Sequence, residues 1–223
     1  MMKNTMLEMS RYAALARQAV AEGIVLLKNE AVLPLAPGGR AALFGYAQFH
    51  YYKSGTGSGG LVNVTHVSNL PEILGGDGGY RLDAEVQARY AAWLADHPYE
   101  MGTGWAQEPW FQPEMPLDEE FVRAAAQRAD TAFIVIGRTA GEDQDNTNTP
   151  GSFLLTEDEE NMLALVCRYF NKSVVLLNVG NIMDMQWVAR YAPDAVAYIW
   201  QGGQEGCRGV LDVLNGTVSP SGK

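Results

Sequence analysis

Apolar runs of strand length alternate with stripes of helical period along most of this chain. Residues 10–29 space Leu15, Val20, Ile24, Val25 and Leu27 as one face of a helix, with Ser10 as its cap. Residues 41–45 (Ala-Ala-Leu-Phe-Gly) then read as a first short buried strand. Helices are predicted over 83–95, with Val86, Tyr90, Trp93 and Leu94 inward, and over 118–128, capped near Leu117 and Asp118. Residues 131–136 (Thr-Ala-Phe-Ile-Val-Ile) are apolar without interruption, as a strand covered on both faces would be. Thr156 with Glu159 has capping-box spacing and opens a helix running to about Phe170. Strands over 173–178 and 195–200 flank a short helix over 184–191. A last helix over 206–214 stops at Asn215-Gly216.

Doubly buried strands alternating with helices predict an α/β fold: a mostly parallel sheet with helices on both faces, in three layers. Its 223 residues are ample for a single domain with a buried core. No internal repeat or low-complexity tract interrupts the pattern, but two irregular stretches do. Residues 46–69 are rich in glycine, and 98–116 carry Trp105, Trp110 and Phe111 among Gly, Pro and Glu. Long irregular segments inside a domain are often functional, although packing or crossover explains the second equally well. Residues 215–223 are turn-rich with no element to close on, which reads as a chain continuing beyond, or cut at, a boundary.

Charge narrows the function classes. Sixteen basic against 26 acidic residues leave −10, which disfavours sequence-independent binding to nucleic acid. No apolar run approaches the roughly 20 residues that span a bilayer, and no secretory signal is visible, so a cytoplasmic location is expected. Cys167 and Cys207 suffice for neither a disulfide framework nor a zinc site and read as core thiols. His50, His66 and His97 lack metal-ligand spacing and read as structural or surface residues, with His66 near enough to the glycine-rich loop to touch a ligand.

Two motifs invite chemistry. Gly55-Thr-Gly57-Ser58-Gly59-Gly60 fits G-x-G-x-x-G by letter. It stands nine residues beyond its strand, however, and the β-branched run after it is a poor helix start, which disfavours the dinucleotide reading. Glycines that admit close approach of a ligand or another domain fit better. Ser58 has no strand leading into it and is no nucleophile elbow. The second motif, Gly141-Glu142-Asp143-Gln144-Asp145-Asn146, follows the strand ending near Ile136. Carboxylates crowded there raise one another's pKa, as a general acid requires, while a solvated acidic loop explains the spacing as well. An EF-hand loop is a poorer match, lacking the glycine and the distal glutamate.

Together these segments resemble the α/β-sandwich domain of glycoside hydrolase family 3. The resemblance rests on Ala19 to Asn29 followed by Leu33-Pro34-Leu35, the glycine–serine loop Lys53 to Asn63, and Ala140-Gly141-Glu142-Asp143-Gln144-Asp145 as that family's Ser-Gly-Glu-x-x-Asp-Arg loop. Val174 to Gly180, Trp200 to Gly206 and Asn215 to Lys223 complete it in order. It implies a retaining β-glycosidase, similar to β-glucosidases, whose nucleophile is an aspartate on a separate (β/α)-barrel domain of the same polypeptide. That barrel is not in this chain and, in a reversed domain order, would follow Lys223; the fragment alone is expected to be inactive.

Glu142 would then be the acid/base and Asp145 a supporting carboxylate, with Gly57, Ser58 and Gly59 lining the barrel-facing side. Trp105 and Trp110 would stack on a sugar or pack between domains. The implied substrate is a β-linked glycoside or oligosaccharide, with no metal or organic cofactor, no nucleic acid and no membrane, and with room for a homo-oligomer. Asn146 replaces the family's loop arginine, and Gly60-Leu61 stands where relatives often place an acidic residue. A non-catalytic carbohydrate-binding or interaction module of the same fold, and a glycoside phosphorylase, are the alternative readings.

Overall fold

The computed structural model describes residues 8–60, 63–142 and 144–223. Its elements in chain order are α1 (Met9–Gly23), β1 (Val25–Asn29), β2 (Arg40–Phe44), α2 (Leu70–Gly75), β3 (Arg81–Leu82), α3 (Ala84–Asp96), α4 (Glu119–Arg128), β4 (Thr131–Arg138), α5 (Glu157–Tyr169), β5 (Ser173–Val179), α6 (Gln186–Tyr191), β6 (Ala195–Tyr198) and α7 (Gly206–Leu214). The strands form one sheet in the order β1-β6-β5-β4-β2-β3. All pairings are parallel except β1 with β6, so the α/β, mostly parallel sheet stands as predicted.

Side-chain alternation along the central strands sorts the core into two clusters. Phe133 and Val135 of β4 and Val174 and Leu176 of β5 face residues of α1, α2 and α7. Ala132, Ile134 and Ile136, with Val175 and Leu177, face α3, α4, α5 and α6. Period-two placement with both faces apolar is why β4 and β5 read as unbroken hydrophobic runs. The two layers of helices complete the three-layer sandwich.

Several elements start where the sequence signals place them. Asp83 caps α3 through the N–H groups of Glu85 and Val86. Asp118 caps α4, and Thr156 and Glu159 form the reciprocal capping box of α5. The predicted helix over 10–29 needs correction. It stops at Gly23, and Val25 to Asn29 turn into an antiparallel edge strand paired with β6, Val25 opposite Tyr198. Leu15 and Leu27 are therefore exposed, and the position before the helix is Glu8, which makes no side-chain cap. Ser10 lies inside the first turn. The short helix begins at Gln186 rather than Asp184. The turn-rich end does close on something: the N–H groups of Ser221 and Gly222 donate to the carbonyls of Glu22 and Ile24 at the α1–β1 junction.

Cys207 lies in the first core cluster and its thiol meets the Ser68 carbonyl, while Cys167 is half-buried against the second. Burial pushes the Cys167 thiol up to about 11, and Cys207 higher. Both are inert packing thiols, as read. Among the described helices none is long and apolar enough to cross a membrane.

One buried carboxyl has a consequence for stability. Glu114 accepts hydrogen bonds from the backbone N–H groups of Tyr46 and Met115 and from the Tyr90 hydroxyl, yet burial pushes its carboxyl up to about 8, helped by the nearby Glu159 charge. In the unfolded chain it ionises near the usual carboxylate value, about 4.3. Between these values the native state holds the extra proton, so stability from this group is present at low pH and falls as pH rises, up to about 8. Glu114→Gln cannot ionise. Its Tm should be flatter with pH across that window, whatever its absolute stability, the difference reaching about 1.4 kcal/mol per pH unit at most. Burial lowers the His50 imidazole, which titrates with the opposite sign, but that contribution is common to both proteins. Parallel Tm–pH curves for the two would refute the assignment.

Candidate functional site

The site is dictated by where the sheet changes direction. From β2 the chain moves outward to β3, then returns to the other side of β2 as β4 and continues to β5 and β6. The loops leaving β2 and β4 therefore emerge side by side at a topological switch point, beyond the carboxyl ends of the strands, where open α/β sheets bind ligands. These are the glycine-rich and acidic loops.

The glycine-rich loop begins at Gly45, whose φ is +103° and whose Cβ, if present, would stand 2.1 Å from the Val135 carbonyl oxygen. Only glycine fits this passage beneath β4. The chain is next tied down by Asn178, fully buried on β5: its Oδ1 accepts from the Tyr52 N–H at 2.7 Å, and its amide donates to the carbonyls of Tyr52 and Trp200. Thr56 then meets the acidic loop in a parallel bridge with Gly141, its N–H donating to the Ala140 carbonyl at 2.7 Å.

Glu142 projects from that junction. Its Oε2 accepts from the Ser58 hydroxyl at 2.8 Å and from the Ser58 N–H at 3.2 Å, while the residue as a whole remains exposed. Gly57 makes this possible. With φ at +69°, a Cβ there would lie 2.7 Å from the Glu142 Cβ and 3.5 Å from that of Ala106. Three segments therefore converge on Gly57: its own loop, the acidic loop, and the tryptophan-bearing stretch 98–116. Gly59 is different, with open space where its side chain would be.

Of the other residues singled out by the sequence, Asp145 is exposed and takes no hydrogen bond among the described residues. Asp143, Leu61 and Val62 lie outside the described residues. Trp105 is 51% exposed beside Ala106, and Trp110 is half-buried, its carbonyl accepting from the Thr139 N–H. Asn146, uncharged where an arginine was expected, instead donates to the Ile182 carbonyl and accepts from the Ser152 hydroxyl. Of the histidines, His97 stacks on Trp93, and His66 is exposed and faces Glu205. His50 stacks on Tyr46 but also lines a cavity. Among the described residues no cluster of His, Cys, Asp or Glu is placed to hold a metal ion.

Sequence reasoning missed that cavity. It has a volume of about 380 Å³ beside Gly55, Thr56 and Gly60, and is lined also by His50, Tyr52, Lys53, Tyr99, Met101 and Glu108. Burial raises the Tyr52 and Tyr99 phenols, which remain hydrogen-bond donors at neutral pH. Aromatic faces with one ammonium and one carboxylate group suit a polyhydroxylated ring. It also missed Gln144, whose amide nitrogen donates to the carbonyls of Ala106 at 2.6 Å and Glu108 at 2.9 Å.

The sequence profile of the glycosyl hydrolase family 3 C-terminal domain matches residues 24–223. The chain belongs to glycosyl hydrolase family 3. This family 3 domain is 49% identical to a β-glucosidase of Ruminococcus albus over 217 residues, covering 97% of the chain and 23% of that protein. It is 34% identical to β-glucosidase A of Butyrivibrio fibrisolvens, covering 96% of the chain and 28% of the relative. Among solved structures, a β-glucosidase from Paenibacillus barengoltzii superposes with a TM-score of 0.89 at 44% identity, over 94% of the chain and 23% of that structure. β-Glucosidase 3B from Thermotoga neapolitana, in complex with glucose, gives 0.86 at 33% identity over 97% of the chain and 30% of its own. The family 3 domain thus spans about a quarter of these proteins.

Proposed function

We propose that this domain supplies the general acid/base of a retaining β-glucosidase-like enzyme, with Glu142 as that group and the nucleophile on a (β/α) barrel of the same polypeptide. The observation that carries the reading is Glu142 itself: an exposed carboxylate oriented by Ser58 at the switch point of the sheet. Retention needs two carboxyl groups about 5–5.5 Å apart across the glycosidic bond. One attacks the anomeric carbon while the other, protonated, donates to the leaving oxygen. The second then takes a proton from the water that cleaves the glycosyl–enzyme bond. Exposed in this chain, Glu142 is open to a glycoside bound between this domain and the barrel. Ser58 and Gly57 would meet the barrel and the bound sugar, and Asp145 would add a supporting charge.

One carboxylate cannot serve as both nucleophile and acid. The purified 223-residue chain should therefore show no turnover of aryl β-glucosides or β-linked disaccharides, whereas the polypeptide that includes the barrel should release glucose first as the β anomer. Turnover by the chain alone, α-glucose as the first product, or release of a sugar phosphate only when phosphate is added would each refute the reading. Sugar binding without any turnover by the longer polypeptide would point instead to a non-catalytic module.

A further inference from the structure

We propose that Gln144 is a specificity-determining positioning residue. It fixes the Trp105-bearing segment against the Glu142 loop and thereby sets the wall that the leaving group of a bulky glycoside meets. The proposal rests on the acid/base reading of Glu142 and adds to it how the leaving group is selected.

Gln144 is two residues from Glu142 on a loop folded back on itself, its N–H donating to the Gly141 carbonyl in a bridge between the two. From there its side chain crosses to the other segment and spends both donors of one amide nitrogen on the carbonyls of Ala106 and Glu108. A flipped amide would set oxygen against two carbonyl oxygens, so the donor assignment follows from its surroundings. The Oε1 atom is buried without a partner among the described residues, so toward them the group acts as a double donor.

The receiving segment is held in an unfavourable shape. Ala106 has φ at +56°, a left-handed conformation that a non-glycine residue keeps only when its surroundings enforce it. Ala106 is also buried, and its methyl would stand 3.5 Å from a Cβ placed at Gly57, the position that the Glu142 Cβ also crowds. Exposed Trp105 stands immediately before it, and Glu108, whose carbonyl shares the same donor, lines the 380 Å³ cavity together with Tyr99 and Met101 of the same segment. Gln144 is therefore the side-chain link between the residue that would protonate the leaving oxygen and the surface that the rest of the leaving group would touch. A shift of about 1 Å in such a wall can cost two orders of magnitude when the contact positions the substrate.

The test uses two substrates whose leaving groups both depart with proton donation but differ in bulk, a β-linked glucose disaccharide and methyl β-glucoside, each compared with its own wild-type value. In the polypeptide that includes the barrel, Gln144→Glu keeps the length but replaces the donors with a charge facing two carbonyls. Its kcat/KM on the disaccharide should fall about tenfold relative to methyl glucoside, the loss residing in KM. Gln144→Lys retains donors and should keep the wild-type ratio. Trp105→Ala, at an exposed position, should reproduce the selective loss, and combining it with Gln144→Glu should add little.

An independent readout needs no activity. Amide hydrogen exchange over residues 98–112 should quicken in Gln144→Glu while β4 and β5 stay protected. Equal losses on both substrates, an unchanged ratio, or a lysine variant as impaired as the glutamate variant would overturn the proposal. If Gln144→Glu does not fold, an unchanged ratio in Trp105→Ala still overturns it. Activity abolished by Glu142→Ala but indifferent to Gln144 would sink this inference alone. Turnover that does not depend on Glu142 would sink the reading beneath it.

Discussion

Glu142→Ala, made in the polypeptide that joins this domain to its barrel, should slow hydrolysis of glycosides with poor leaving groups by about 10²–10⁴-fold. Activated aryl glycosides, which depart with little proton donation, should lose far less in the glycosylation step. The asymmetry follows from the role: an acid is needed in proportion to the basicity of the oxygen it protonates. Azide should restore turnover of the activated aryl glycosides, whose glycosyl–enzyme forms without the acid, because a small anionic nucleophile needs no general base to attack it and has room where the carboxylate was. The product should be the β-glycosyl azide. Geometry sharpens the expectation, since Oε2 is held by two bonds from Ser58 whereas Oε1 takes none among the described residues. Oε1 is thus the atom free to carry the proton. Equal losses on good and poor leaving groups, with no azide rescue, would take the acid/base role from Glu142.

How far this site could be read from sequence differs residue by residue. β2, β4 and β5 were legible because strands covered on both faces leave unbroken apolar runs, and the start of α5 because a capping box is local chemistry. The strand β1 was not. Ile24 to Leu27 suit a helical stripe as well as a strand, and what decides between them is pairing with Tyr198 and its neighbours, far along the chain. Glu142 is legible only through its motif, since spacing alone favours a solvated acidic loop. Gln144, Tyr99 and Glu108 were out of reach because their role depends on residues 98–116 folding back onto the acidic loop. Glu114, between Pro113 and Pro116, has the surroundings of an exposed loop in sequence, and only the folded structure shows it enclosed with Tyr90.

The loop that carries Glu142 is also anchored at its far end, by a buried ion pair whose loss should be strongly destabilising. Arg138, the last residue of β4, is 1% exposed and grips both carboxylate oxygens of Glu159 at 2.5 and 2.6 Å. The same guanidinium donates to the carbonyls of Gly137, Ser152 and Leu154, so strand, returning loop and the start of α5 meet on one group. Glu159 is engaged on both sides, since its Oε2 also accepts the Thr156 N–H that begins the helix. Arg138→Leu would leave that carboxylate buried without its cation, and breaking such a pair from one side costs about 3–5 kcal/mol. For a domain of this size that lowers Tm by roughly 6–20 °C. Adding Glu159→Gln removes the orphaned charge while an amide oxygen can still cap Thr156, so the double variant should regain part of the loss despite carrying one more substitution. Thermal or urea unfolding of the wild type and the two variants settles the matter. A single variant within about 1 kcal/mol of wild type, or a double no better than Arg138→Leu alone, would mean that the pair is not what holds the end of the loop.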